Sequence, residues 1–203
     1  MTAFHTKLFF QVFVTLLVIM DPLGTVPVFL ALTAERTSAA RRRLAAEAVA
    51  VAGGVIAVFA LFGQQILDYL GITVPAVQGA GGLLLLLVAL ELLRGGASEH
   101  TEVEEVSIAL VPIGTPLIAG PGAIAATIVF VRQAHGVHDA VAIAAALVAV
   151  LVVLYVALRF STVLLKALRP GGIHLLTRIF GLLLSAIAVQ LVAESIRGFV
   201  QAH

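Results

Sequence analysis

Two short stretches of the chain combine residue types that an apolar helix does not ordinarily carry. The first is Asp21-Pro22-Leu23-Gly24-Thr25-Val26-Pro27. The Asp21 carboxylate can hold a cation, an ammonium group or a proton, and Thr25 adds a hydroxyl. Pro22 and Pro27 withhold amide donors, so carbonyls around residues 18 and 23 are expected to lose their helical partners and become available to a ligand. The second stretch is Thr115-Pro116-Leu117-Ile118-Ala119-Gly120-Pro121-Gly122-Ala123. Its Gly-Pro-Gly triplet predicts an unwound corner, followed at Ala123 by a new half-helix whose amides attract carboxylate or phosphate oxygens. An acidic break and an amide-rich break together suit a small zwitterion.

The elements that carry these stretches follow from composition. Of the 203 residues, 61% are hydrophobic and 11% charged, with 12 basic and 11 acidic side chains. Such a chain cannot cover itself with a polar surface, so it belongs in lipid. A hydrocarbon core about 30 Å thick needs roughly 20 helical residues. Charge-poor runs predict six spans: Leu8 to Leu32, Leu44 to Leu67, Val74 to Leu93, Val106 to Val131, Ala140 to Leu158 and Ile179 to Ala193, the last bounded by Arg178 and Glu194. Runs such as Gly82-Leu83-Leu84-Leu85 do not alternate apolar with polar residues, which excludes a membrane β-barrel. Asp21 falls about 13 residues, roughly 20 Å of helix, beyond Leu8, near the bilayer midplane, where an intramembrane carboxylate usually serves function. No small-x-small cleavage site follows Leu8 to Met20, so this run is expected to be a retained, broken helix.

Lys and Arg are distributed unevenly on the two sides these spans define. One side holds Arg36, Arg41, Arg42, Arg43, Arg94, Arg159, Lys166, Arg169 and Arg178, the other Lys7, Arg132 and Arg197. The basic side is expected to be cytoplasmic, with both termini outside. The predicted loops are too short for a soluble domain, so residues 1–203 read as one polytopic membrane domain.

That domain contains a weak duplication. Asp21-Pro22-Leu23 with Pro27 matches Thr115-Pro116-Leu117 with Pro121, and Gly82-Leu-Leu-Leu matches Gly181-Leu-Leu-Leu, with Glu91 and Gln190 each nine residues beyond the glycine. Residues 1–95 and 106–203 form the two repeats, joined by a cytoplasmic linker at 96–105. Three spans per repeat invert the second copy in the membrane, as in many secondary transporters. The fold class expected is therefore all-α: six transmembrane helices in two inverted three-helix repeats, the first and fourth broken near the midplane.

Other features admit plain readings. His135 and His138 are spaced for one helix face, but with neighbouring Asp139 they read as solvated loop polarity and not as a metal site. Arg43 and Glu47 form an i,i+4 pair, and the glutamates of the linker complement the dipole of the span that follows. Gln190 is a neutral polar group inside the last span, suited to substrate contact or to interhelical hydrogen bonding. Cys is absent, which removes disulfides, iron-sulfur clusters and thiol chemistry. The balanced, scattered charge excludes a nucleic-acid partner. No Gly-x-Ser-x-Gly elbow, His-Glu-x-x-His motif or second aspartate beside Asp21 is present, so an intramembrane enzyme lacks its chemistry.

Over nearly its whole length the sequence resembles the MarC family of bacterial inner-membrane proteins. The resemblance rests on Asp21 to Pro27, on Gly71-Ile-Thr-Val-Pro75 with Gly79-Ala-Gly-Gly82, on Pro116 and Gly120 to Ile124, and on Arg178-Ile-Phe-Gly181 through to Gln190. It implies six spans in the plasma membrane and a similarity to neutral amino-acid transporters. Many relatives carry Thr where this chain has Ala123, which removes a hydroxyl from the second break. The expected function is secondary transport of small polar metabolites, neutral amino acids above all, by alternating access between the inverted halves. Its expected site comprises Asp21, Pro22, Gly24, Thr25, Pro27, Thr115, Pro116, Gly120, Pro121, Gly122, Ala123 and Gln190. Asp21 would couple to a proton or sodium ion, with no cofactor or metal. The expected partners are the small-molecule substrate and the bilayer, with homo-oligomerisation open. The alternative is a non-transporting membrane factor that binds or stabilises partner proteins.

Overall fold

A computed structural model describes residues 2–94 and 119–201, which are helical apart from short turns. The elements are α1 (Thr2–Met20), α2 (Pro22–Leu32), α3 (Ser38–Leu70), α4 (Val74–Arg94), α5 (Pro121–Arg132), α6 (Val137–Arg159) and α7 (Ser161–Gln201). Apolar side chains that must meet lipid leave the backbone no water to bond with, so each segment satisfies its own amides as helix. Among the described residues five stretches are long and apolar enough to cross a membrane: Thr6–Leu30, Ser38–Leu70, Val74–Arg94, Val137–Arg159 and Leu175–Gln201. The shorter α5 is the second half of the predicted fourth span. The first half of that span, and the linker at 96–105 with its glutamates, lie outside the described residues.

Several boundaries differ from expectation. Helix α3 begins six residues before Leu44, where Thr37 caps it by accepting from the Ala40 amide at 3.3 Å, and it ends at Gly71 with φ 66°. There the Gly71 and Ile72 amides donate to the Asp68 and Leu67 carbonyls, a left-handed stop that glycine adopts freely. Its 33 residues extend about 50 Å, so its Arg-rich start projects past the apolar core. The loop expected between Leu158 and Ile179 is instead mostly helix: α7 starts at Ser161 and continues through Pro170. Leu164 and Leu165 pack against the core, and this burial keeps the early turns of α7 attached to the bundle. The last apolar stretch consequently extends over Glu194 and Arg197 instead of stopping at Ala193.

The principal helix contacts join elements before residue 95 to elements after residue 118. Helix α1 packs on α6, α2 on α6 and α7, α3 on α5 and α6, and α4 on α5 and α7. Two apolar cores result. One gathers Val12, Leu16, Met20, Val26 and Phe29 with α3, α5 and α6; the other joins Val18 to Leu85, Ala89, Leu184, Ala188 and Leu191. At the α4–α7 seam a Cβ on Gly82 would lie 2.9 Å from the Ala188 carbonyl, and one on Gly181 would lie 3.3 Å from the Ala89 carbonyl. These are matched positions, since Ala89 and Ala188 each follow their glycine by seven residues. Small residues let the two backbones approach closely and reciprocally.

Candidate functional site at two helix breaks

The first break is centred on Asp21. Its φ of 37° is in the left-handed region, which Asp tolerates better than most side chains. Its amide still donates to the Leu17 carbonyl at 3.2 Å, closing α1, while its Oδ1 accepts the Gly24 amide at 3.0 Å, capping α2. Pro22 occupies the first helical position, where a missing amide costs nothing. The Asp21 carbonyl accepts both the Thr25 amide at 3.0 Å and the Thr25 hydroxyl at 2.8 Å, and the Met20 carbonyl lies 3.4 Å from that hydroxyl. Thr25 therefore serves the carbonyls of Met20 and Asp21, not those around residues 18 and 23 that the prolines were expected to leave open. Gly24 completes the turn, because a Cβ there would overlap Asp21 Oδ2. Thr25 and Pro22 are buried, whereas Asp21, Gly24 and Pro27 are half-buried.

The second break differs in kind. Gly120 is extended at the start of α5, with Pro121 following and no side-chain cap. The Ala123 and Ile124 amides both donate to the Gly120 carbonyl, at 3.0 and 3.2 Å. Of the amides expected to face a ligand, that of Ala123 is thus turned back on its own helix. Gly122 is buried against α4, where a Cβ would overlap Leu85. Ala123 is fully buried, and its carbonyl accepts the Thr127 hydroxyl at 2.7 Å. Thr115 and Pro116 lie outside the described residues. Both breaks border one apolar core, since Met20 and Val26 flank the first, Ala119 and Ala123 flank the second, and all four belong to the same buried cluster.

Gln190 belongs elsewhere. It is exposed on α7 and donates to Glu194 Oε1 at 2.8 Å, while Gln78 of α4 donates to Glu194 Oε2 at 3.4 Å. Next to Glu194, the Ser195 hydroxyl donates to the Pro75 carbonyl at 2.7 Å. The sequence reading placed Glu194 at the end of a short span and so missed it as the centre of an interhelical polar cluster. The i,i+4 spacing of Gln190 and Glu194 was the available signal. Asp139 also departs from expectation: it is 3% exposed, and its Oδ2 accepts the His135 amide at 2.8 Å, closing the turn into α6. Arg43 and Glu47 pair at 2.7 Å as expected. Among the described residues no group of three or more His, Cys, Asp or Glu is arranged to hold a metal ion.

The model of the MarC family of integral membrane proteins matches residues 6–200. A UPF0056 membrane protein of Methanocaldococcus jannaschii is 37% identical over 197 residues, covering 94% of this chain and 96% of its own. UPF0056 membrane proteins of Escherichia coli and Bacillus subtilis are 31% and 30% identical, with 97% and 93% of this chain covered and 95% and 93% of theirs. The relatives thus span archaea and bacteria. No solved structure matches the chain significantly. The chain belongs to the MarC family and is a multi-pass integral membrane protein.

Proposed function

We propose that this MarC-family protein is a secondary transporter of small polar metabolites, with neutral amino acids as the substrate class. The observation that carries the proposal is the convergence of two helix breaks, Asp21 and Gly120, on one buried cluster. Polar backbone interrupted inside a membrane span is tolerated where it lines a cavity or is buried in protein, and transporters use such breaks for binding. In this reading the substrate carboxylate meets the amide-bearing corner at Gly120 and Gly122. Asp21 and Thr25 receive the ammonium group or a coupling proton or sodium ion. Residues 1–95 and 106–203 are the inverted repeats, and the reciprocal packing of Gly82 on Ala188 and Gly181 on Ala89 supports that symmetry. The plasma membrane is the expected site, with both termini outside.

The packing also suggests which bodies move. The halves interlock, so neither can rock as a unit without stripping its contacts. In this reading α4 and α7 form one body, and the bundle of α1, α2, α3, α5 and α6 forms the other. Their seam is lined by small residues: a Cβ on Gly81 would lie 2.6 Å from Ala125 Cβ. Thermal unfolding of the detergent-purified protein across a panel of amino acids, metabolites and cations tests the binding step, since a ligand of the folded state raises the melting point by mass action. A selective rise with glycine, alanine or serine supports the reading. No rise with any compound, in folded protein, favours the partner-binding factor instead.

A further inference from the structure

A cavity of about 310 Å³ lies between α1, α3, α5 and α6. Val12, Leu16, Phe130 and Ile143 form its inner wall, and the exposed Leu61, Val131, Ala140 and Ala144 form its rim. Thr127 is the one polar side chain lining it, and its hydroxyl hydrogen is spent on the Ala123 carbonyl. None of Asp21, Thr25, Gly120 or Gly122 lines it, so it stands apart from the breaks discussed above.

The lining decides what can enter. A zwitterion would lose its hydration and find almost no partner. Water needs two or more polar contacts, and a cavity without them stays dry. A void of this size forfeits the dispersion contacts of its walls. Hydrocarbon restores those contacts, and the rim opens among exposed apolar side chains that meet the bilayer. The charge at the mouth selects the headgroup. Exposed Arg132, at the end of α5, sits in the chain between Val131 and Ala134, both of which line the cavity. Asp139 is 3% exposed and accepts the His135 amide, whereas Arg132 is exposed. We infer that the cavity binds one acyl chain of an anionic phospholipid, with Arg132 meeting its phosphate.

Photolabelling tests this directly. The full chain is reconstituted in phosphatidylcholine vesicles containing phosphatidylglycerol with a diazirine on one acyl chain, irradiated, and mapped by peptide mass spectrometry. Label is expected several-fold more densely on Val12, Leu16 and Ile143 than on Leu83 and Leu87, exposed positions of α4. Ala144→Phe, which fills the mouth, should reduce the cavity label to the α4 level and leave α4 unchanged. Arg132→Gln, at an exposed position, keeps the cavity and should lower the preference for phosphatidylglycerol over unlabelled phosphatidylcholine by about fivefold. Equal labelling of cavity and α4 in the wild-type protein overturns the site, as does an undiminished cavity label in folded Ala144→Phe. An unchanged lipid preference in Arg132→Gln overturns the headgroup assignment. If Ala144→Phe does not fold, the wild-type distribution and Arg132→Gln still decide the question.

Discussion

The two helix breaks lie in matched stretches of the chain, Asp21 at the start of one and Gly120 near the end of the other, and are held open by different means. At Asp21 a side chain does the work: its carboxylate caps α2, its backbone closes α1, and Thr25 satisfies the carbonyls between them. At Gly120 no side chain caps the helix, and the corner is held by a carbonyl shared between two amides and by the fit of Gly122 against Leu85. A break sealed by local hydrogen bonds should survive changes in its surroundings, whereas a break sealed by packing should follow the helix it packs against. The second is accordingly the one coupled to α4.

The strongest way to break this comparison is Gly122→Leu. Leu85 would be displaced and the α4–α5 seam forced apart, an overpacking cost of about 1–3 kcal/mol or more. A large fall in the melting point is expected, with any transport lost alongside it; an unchanged melting point would mean that packing does not hold the second break. Next in size is Gly24→Ala. In the wild-type background its Cβ expels the Asp21 carboxylate, and the expected loss is about 1–2 kcal/mol, the value of an N-cap. In an Asp21→Ala background the same change should instead stabilise by about 0.5–1 kcal/mol, because alanine is the better helix former. A double-mutant cycle by thermal or denaturant unfolding reads this reversal directly, and additive effects would refute the cap.

Smaller effects sharpen the contrast. Asp21→Ala alone should cost about 1 kcal/mol, whereas Asp21→Asn, which keeps an acceptor for the Gly24 amide, should cost a few tenths. Equal losses for Asn and Ala, both of which remove the charge, would show that charge, and not capping, stabilises the turn. Smallest is Gln78→Leu at the α4–α7 seam. Interhelical hydrogen bonds in membranes average about 0.6 kcal/mol, so its melting point should scarcely move, and a loss as large as that of Gly122→Leu would mean that the polar cluster holds this pair together.

Much of the architecture was legible in the sequence, because a charge-free run of the right length has one stable outcome in lipid. The second, third and fifth spans appear where the runs predict them, with ends that extend into charged sequence. Those ends were missed for identifiable reasons. Thr37 and Gly71 are local caps that lie beyond the charge-poor run, with Arg41, Arg42 and Arg43 between Thr37 and its start. Glu194 looked like a boundary because its partner Gln78 is 116 residues away in sequence, and no local pattern announces such a contact. At the candidate site, Asp21 followed by Pro22 and then Gly24 spells a helix start, so the cap could be read from the chain. The turning of the Ala123 amide toward Gly120 and the burial of Gly122 under Leu85 could not, since they depend on where α4 comes to rest. The apolar cavity was invisible for the same reason, being the space left among four elements.

The most direct test of the central claim is counterflow of radiolabelled alanine in proteoliposomes preloaded with unlabelled alanine. Wild type and Asp21→Asn are compared at equal amounts of folded protein, with and without proton and sodium gradients. The account predicts transient accumulation in the wild type that responds to one of the gradients, and in Asp21→Asn exchange that persists but no longer responds. Absence of counterflow for alanine, glycine and serine in folded wild-type protein would contradict it.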